Sequence, residues 1–306
     1  MSRTSVQTKP TLKSGKSKRK ISVSAISSHA LLLFIAIVLF IPAAWMIIAP
    51  SKDRAELVTM APLGFGTFES YITRWQNLLL YDEGAMLRWI ENSLWYTSAT
   101  VILSTVMALL GGFALAAVNI RFKRQILILI MIAMIIPTVA LVMPIFVWIN
   151  TLGLTDTELG LILASSLYPF GVYLSYIHFS TVIPKELYEA AKIDGCGYFK
   201  IFRKIAIPVS KSLVGILAFF SFVGSWNNFF LPQVLILSGE KHPLSSGLTL
   251  LFTNTPAFMG NSSAILPIER SEIALSAIIM TVPIIVLFLV SQKFLSRGML
   301  AGSVKS

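Results

Sequence analysis

Residues 186–208 read ELYEAAKIDGCGYFKIFRKIAIP, the longest polar stretch between two membrane-length apolar runs. The local chemistry predicts a helix, a turn and a second helix. Pro184 suits a first helical position, where its missing N–H costs nothing. Glu186 and Glu189 fall early, where the positive end of the helix dipole favours carboxylates. Leu187, Ala190 and Ala191 recur at i, i+3 and i+4, a spacing that predicts one thin apolar face. Asp194 precedes Gly195, which suits the stop because glycine enters the left-handed conformation at low cost. A second amphipathic turn follows, with Tyr198, Phe199, Ile201 and Phe202 apolar and Lys200, Arg203 and Lys204 charged.

Working outward, the chain is 306 residues long, 55% hydrophobic and only 13% charged. Soluble domains carry about 25% charged residues, so a bilayer protein is the first reading. The net charge of +11 invites a nucleic-acid partner, but its placement argues against one. Seven basic residues lie in the first twenty positions and most others in short loops. One cysteine, Cys196, excludes an intramolecular disulfide, and three scattered histidines (His29, His178, His242) suggest no metal cluster.

Residues 1–27 read as a disordered basic cytoplasmic arm. Gly15-Lys16-Ser17 imitates the end of a phosphate loop, but Pro10 replaces the required glycine and no strand precedes it. Residues 28–50 form a first transmembrane helix, whose apolar run 30–50 is long enough for a hydrocarbon core of roughly 30 Å. Residues 51–91 read as an external loop with interfacial helices. Residues 92–296 form a core with five further spans, near 93–118, 125–149, 159–183, 210–237 and 273–295, and residues 297–306 a cytoplasmic tail. Pro137, Pro144, Pro169, Pro232 and Pro283 lie inside these runs, as membrane bundles tolerate. The fold class is thus all-α and polytopic, with six transmembrane helices.

Charge sets the orientation. The N-terminus, 119–124, 184–211 and the C-terminal end from Lys293 onward together hold 19 Lys and Arg against three acids. The segments 51–91, 150–158 and 238–272 hold six against eleven. The positive-inside rule therefore places both termini and the 184–208 loop in the cytoplasm.

The centres of the spans carry no Asp, Glu, Lys or Arg. That weighs against a proton- or sodium-driven carrier, which uses such charges for coupling. No complete Walker sequence is present, so ATP chemistry is expected elsewhere. Candidate contacts for a transported solute are Trp226, Asn227 and Asn228 in the fifth span and Tyr173 in the fourth. Trp and Asn together suit a sugar, by stacking on its C–H face and hydrogen-bonding its hydroxyls. The alternative is that the amides bond nearby backbone and brace a bent helix, with Trp226 an interfacial anchor. Tyr168, Tyr176 and His178 read more plainly as belt and bundle residues, and Asn92 and Ser93 as a helix cap. The stretch 238–272 is long for a bare connector. Its Asn261-Ser262-Ser263 glycosylation match reads as accidental.

The 186–208 stretch resembles the EAA motif of ABC importer permeases: Glu-Ala-Ala, three residues, Gly, nine residues, Ile-x-Leu-Pro. Glu189, Ala190, Ala191, Gly195, Ile205 and Pro208 match, and Ile207 replaces the usual leucine. From about residue 90 onward the chain resembles the MalG-type membrane subunit of carbohydrate ABC importers. That likeness also rests on Asn150-Thr-Leu-Gly-Leu-Thr-Asp156, on Trp226-Asn-Asn-Phe229 and on the tail Ala301-Gly-Ser-Val-Lys-Ser306, which departs from the family ending at two or three places. The resemblance implies the type I importer permease fold, with 184–208 as the coupling loop docking into an ATPase through Glu186, Glu189, Ala190, Ala191, Asp194, Gly195, Ile205 and Pro208. It implies a bacterial plasma membrane and, as partners, a second homologous permease, two ATP-binding subunits, an extracytoplasmic solute-binding protein and membrane lipid. ATP and Mg would be used by the partner ATPase; this chain is expected to bind no cofactor or metal and to have no catalytic residue. Importers of amino acids, polyamines or glycerol phosphate are the neighbouring alternative. A stand-alone channel or secondary carrier is the more distant one.

Overall fold

The computed structural model describes residues 23–253 and 268–303. Positions 1–22 of the basic arm, Asn261-Ser262-Ser263 and Val304–Ser306 of the tail lie outside the described residues. The chain divides into two units, residues 1–45 and 46–306. The described part of the first belongs to α1, Val23–Ile48, which is apolar all round from Ala30 onward and carries Pro42. Helix therefore begins within the segment read as a disordered arm.

The second unit carries twelve further helices named here: α2 Phe68–Leu80, α3 Ala85–Ala117, α4 Lys123–Ile135, α5 Thr138–Thr151, α6 Glu158–Ser165, α7 Pro169–Val182, α8 Lys185–Ile193, α9 Tyr198–Val209, α10 Lys211–Trp226, α11 Phe230–Leu235, α12 Leu244–Thr253 and α13 Arg270–Ser303. Among the described residues there is no strand. Three helical stretches, ending in Ser51, Ala117 and Gln292, are long and apolar enough to cross a bilayer, and up to six spans result if each bent pair counts as one.

Three expected spans are broken rather than straight. α4 and α5 meet at 111° across Ile136-Pro137, and α6 and α7 at 45° before Pro169. Proline fixes its own φ and pushes the preceding residue out of the helical region, so both prolines start a helix instead of riding inside one. The fifth run ends its long helix at Trp226, and α11 is separate. The second run starts earlier than expected, at Ala85, after Asp82, Glu83 and Gly84 all take positive φ. These three residues turn the chain from α2 into α3. The tail is helical as far as Ser303.

Small residues let the bundle close. A Cβ on Gly112 of α3 would fall 2.3 Å from the Ser175 Cβ of α7. In lipid, such close approach drives helix pairing, because apolar side chains gain nothing over acyl chains. Hydroxyls cross-link the interior: Ser104 of α3 and Ser221 of α10 lie 2.7 Å apart. One apolar cluster joins Ala108, Leu109 and Phe113 of α3 to Phe179 of α7 and Leu213 and Leu217 of α10. Another gathers Leu78, Met86, Trp89, Trp226, Leu244 and Leu251. The 238–272 stretch is not a bare connector: α12 packs so tightly that a Cβ on Gly247 would lie 2.3 Å from the Trp89 ring.

Candidate functional site: the 184–208 loop and the cleft beside Asn227

α8 has two different sides. Tyr188 and Ala191 are buried in the cluster built from α3, α7 and α10. The Tyr188 hydroxyl donates to the Phe179 carbonyl at 3.3 Å, and its ring stands edge-on to Phe113. Burial pushes that phenol up to about 12. The opposite side presents Glu186, Leu187, Glu189, Ala190 and Ile193 outward, Ile193 at 87% exposure. The expected single face of Leu187, Ala190 and Ala191 is therefore split. The large Tyr188 ring takes the core and rotates Leu187 and Ala190 away from it. Pro184 stands just before the helix instead of at its first position.

The turn is as the spacing predicts. Gly195 has φ +73° and follows the exposed Asp194. The chain then enters α9, where Ile201 and Ala206 are buried and Ile205 packs against the same cluster as Tyr188. Tyr198 and Phe199 stay exposed, beside Lys200. Five residues, Phe202–Ala206, are wound as a π-helix. Pro208 is exposed near the end of α9, and at Ser210 the chain bends by 84° into α10. The buried Ser210 hydroxyl lies 3.0 Å from His178 Nε2. The eight loop residues expected to act together thus share one helix–turn–helix. Its inner side is continuous with the core of the spans.

The four proposed solute contacts are not brought together. Trp226 is buried, stacked on Phe222, and its indole donates to the Met280 carbonyl at 2.9 Å. It is neither an interfacial anchor nor free to stack on a ligand here. Asn228 Oδ1 accepts from the Leu231 N–H at 3.3 Å, and Asn227 Nδ2 donates to the Val223 carbonyl at 2.9 Å. Both amides thus brace the break between α10 and α11. Tyr173 sits on α7 beside Tyr176. Asn227 alone of the four lines a cleft of about 350 Å³. Phe229, Ser245, Leu248, Thr249, Phe252, Met280 and Thr281 line it too. Ser245, Leu248, Thr249 and Phe252 were not singled out from sequence. Their i, i+3, i+4, i+7 spacing was the available signal.

Residues 107–301 match the family model described as the binding-protein-dependent transport system inner membrane component. The chain belongs to this family. Among curated relatives, the permease is 31% identical over 278 residues to the arabinooligosaccharides transport system permease protein AraQ of Halalkalibacterium halodurans, a match spanning 89% of this chain and 93% of that protein. It is 28% identical to the maltodextrin transport system permease protein MdxG of Bacillus subtilis, over 74% and 78% of the two chains. It is 24% identical to the diacetylchitobiose uptake system permease protein NgcG of Streptomyces coelicolor, over 91% and 88%. A chain in the crystal structure of a bacterial ABC transporter that imports the acidic polysaccharide alginate shares the fold. Its TM-score is 0.73 at 23% identity, with 93% of this chain and 99% of that one covered. The permease is a multi-pass membrane protein and a transport subunit of the type I importer fold.

Ser93 caps a helix end, though not its own, and Asn92 holds the chain just before it. In the permease they lie inside α3, where Ser93 Oγ accepts from the Leu244 N–H that opens α12, at 2.6 Å. Asn92 Nδ2 donates to the Glu240 and His242 carbonyls. Among the described residues no cluster of His, Cys, Asp and Glu of metal-binding size occurs.

Proposed function

We propose that this chain is the permease subunit through which an ATP-driven importer moves a sugar or oligosaccharide from an extracytoplasmic binding protein into the cytoplasm. The observation that carries this reading is the two-sided α8. Tyr188 and Ala191 root it in the core shared by α3, α7 and α10, while Leu187, Ala190 and Ile193 face outward. A push on the outer side is therefore delivered to the spans as a rigid body. The partners are a second homologous permease, a pair of ATP-binding subunits that use ATP and Mg, and the binding protein. Glu189, which forms no ion pair among the described residues, meets a basic side chain of the ATPase. Ala190 permits its close approach. The charge distribution supports placing both termini and α8 in the cytoplasm of a bacterial cell.

The carbohydrate assignment is supported by the solutes in the relatives' names and by the cleft's lining. That lining offers amide and hydroxyl groups with two phenylalanines and no charged side chain. A polyamine or glycerol phosphate would enter it without a counter-ion, which favours a neutral polyol.

Reconstitution of the complete importer with Glu189→Lys or Gly195→Pro tests the coupling. Both variants are expected to insert and to lose solute-stimulated ATP hydrolysis; wild-type stimulation in both would overturn the docking role. Uptake of labelled oligosaccharides against amino acids and polyamines tests the solute class.

A further inference from the structure

The Asn150–Asp156 turn has no part in the coupling loop or the cleft, yet its last residue gathers an unusual set of donors. Asp156 holds φ +59°, a conformation aspartate tolerates better than most residues. Its N–H donates to the Leu235 carbonyl at 2.9 Å, at the end of α11. Its Oδ1 accepts from the Leu237 and Ser238 N–H groups at 2.9 and 3.0 Å. Its Oδ2 accepts from Ser238 Oγ at 2.6 Å and from the Lys241 ammonium at 3.2 Å. Its own carbonyl accepts a second bond from Lys241 Nζ at 2.9 Å. The Ser238 hydroxyl above all, with these backbone and lysine donors, holds the Asp156 carboxyl well below the usual carboxylate range.

The same segment is held from the opposite direction by one face of α3. Trp89 Nε1 donates to the Gly239 carbonyl at 2.9 Å, Asn92 Nδ2 to the Glu240 carbonyl at 2.8 Å, and the Tyr96 hydroxyl to the Lys241 carbonyl at 3.2 Å. The backbone from Leu237 to Leu244 is thereby fixed on two sides. α12 starts there, and its Ser245, Leu248, Thr249 and Phe252 form one wall of the cleft. Asn227, Met280 and Thr281, from other elements, line the same cleft.

We propose that Asp156 is a positioning residue for transport. From the turn that joins α5 to α6, it sets where the α12 wall stands relative to Asn227 and Thr281, and so the width of the cleft. This rests on reading the cleft as the solute path. Only a carboxylate fits the task. Four donor atoms converge on two oxygens, one of them cationic, and an amide in the same place would turn a donor toward Ser238 Oγ and Lys241 Nζ.

The test uses the complete importer in proteoliposomes, with Cys196→Ser removing the native thiol and Thr249→Cys placing a reporter on the α12 wall. Labelling by a membrane-impermeant maleimide is followed without solute, with Asp156 and with Asp156→Asn, which keeps shape and backbone preference but removes the charge. The expected result is an about tenfold change in labelling rate, the size set by one lost charge-assisted hydrogen bond. With Thr249 restored, the maximal transport rate of the Asp156→Asn importer falls while coupling to ATP persists. An unchanged labelling rate, or unchanged transport, overturns the proposal. Should Asp156→Asn fail to assemble, Ser238→Ala removes only the Oδ2 hydroxyl bond. It must then give a smaller change of labelling, and none would be equally fatal. Because labelling needs no solute, it stands or falls separately from the sugar assignment.

Discussion

The Arg74 guanidinium meets the Glu272 carboxylate at 2.9 Å, with Glu272 wholly buried, and so ties α2 to the first turn of α13. Asn77 Nδ2 donates to the same oxygen at 2.8 Å, and the Glu269 N–H donates to the other at 3.0 Å. A buried carboxylate with these partners is satisfied; without its arginine it is a desolvated charge. Arg74→Met is therefore expected to destabilise the protein by about 3–5 kcal/mol, whereas Arg74→Met with Glu272→Met together costs far less. Detergent thermal melts of the two single variants and the double variant close the cycle, and additive losses would refute the pairing.

Gly247 faces the Trp89 ring with no room for a Cβ. Gly247→Leu must displace either a buried indole that donates to Gly239 or the start of α12. Overpacking of this kind costs about 1–3 kcal/mol. A lowered Tm is expected, partly rescued by Trp89→Leu; a Tm equal to wild type would refute the close α12–α3 packing.

Removing the hydroxyl pair inside the bundle has a milder result. Ser104→Ala or Ser221→Ala breaks their mutual 2.7 Å hydrogen bond. Interhelical bonds in membranes are worth about 0.6 kcal/mol on average. The expected loss is near that figure in steric-trap or denaturant unfolding, and a loss of several kcal/mol would mean the pair does more than cross-link.

Acid should loosen the Asp156 clamp. The Asp156 pKa is depressed from 3.8, first by the Ser238 hydroxyl, so its contribution is complete above that value and is lost as pH falls toward the folded-state pKa. His242, its ring 2.9 Å from the Ser246 hydroxyl, is depressed from 6.5 chiefly by burial, against the opposing charge of Asp156. Its neutral form is favoured in the fold, so stability falls as pH drops below 6.5. The Tm is thus expected to decline between pH 7 and pH 5. His242→Gln should flatten that decline while leaving the loss below pH 4.

The exposed side of α8 gives a further prediction. Ile193 is 87% exposed. Ile193→Asp is expected to leave the Tm within about 0.5 kcal/mol of wild type, as exposed positions do. It should also weaken co-purification with the ATPase. Retained co-purification with full coupled hydrolysis would move the docking surface elsewhere.

Much of the 184–208 loop is legible in the residues themselves. Gly195 takes the left-handed turn its chemistry suits, and two helices flank it. Which side of α8 faces inward was not legible. Leu187, Ala190 and Ala191 have the right spacing for one face, but Tyr188 competes for the core and wins by its larger apolar area. The spans expected over 125–149 and 159–183 are each bent, and for a local reason. Pro137 and Pro169 disfavour helical backbone at the residue before them and each sits where a new helix starts, whereas Pro144 and Pro283 ride inside continuous helices. The burial of Trp226 has a distant cause: its hydrogen-bond acceptor, Met280, lies 54 residues away.

Composition, charge alternation and the Glu189–Pro208 spacing by themselves determined a polytopic helical permease with a polar helix–turn–helix loop between two spans. These are additive or short-range properties: hydropathy sums over a span, and a turn depends on the glycine that makes it. The tertiary structure alone decided that Asp156 clamps the Leu237–Lys241 segment, that Arg74 answers Glu272, and that Asn227 rather than Trp226 reaches the cleft. Each depends on which helices pack together, and packing is set by complementary shape between segments far apart in the chain. No local pattern encodes it.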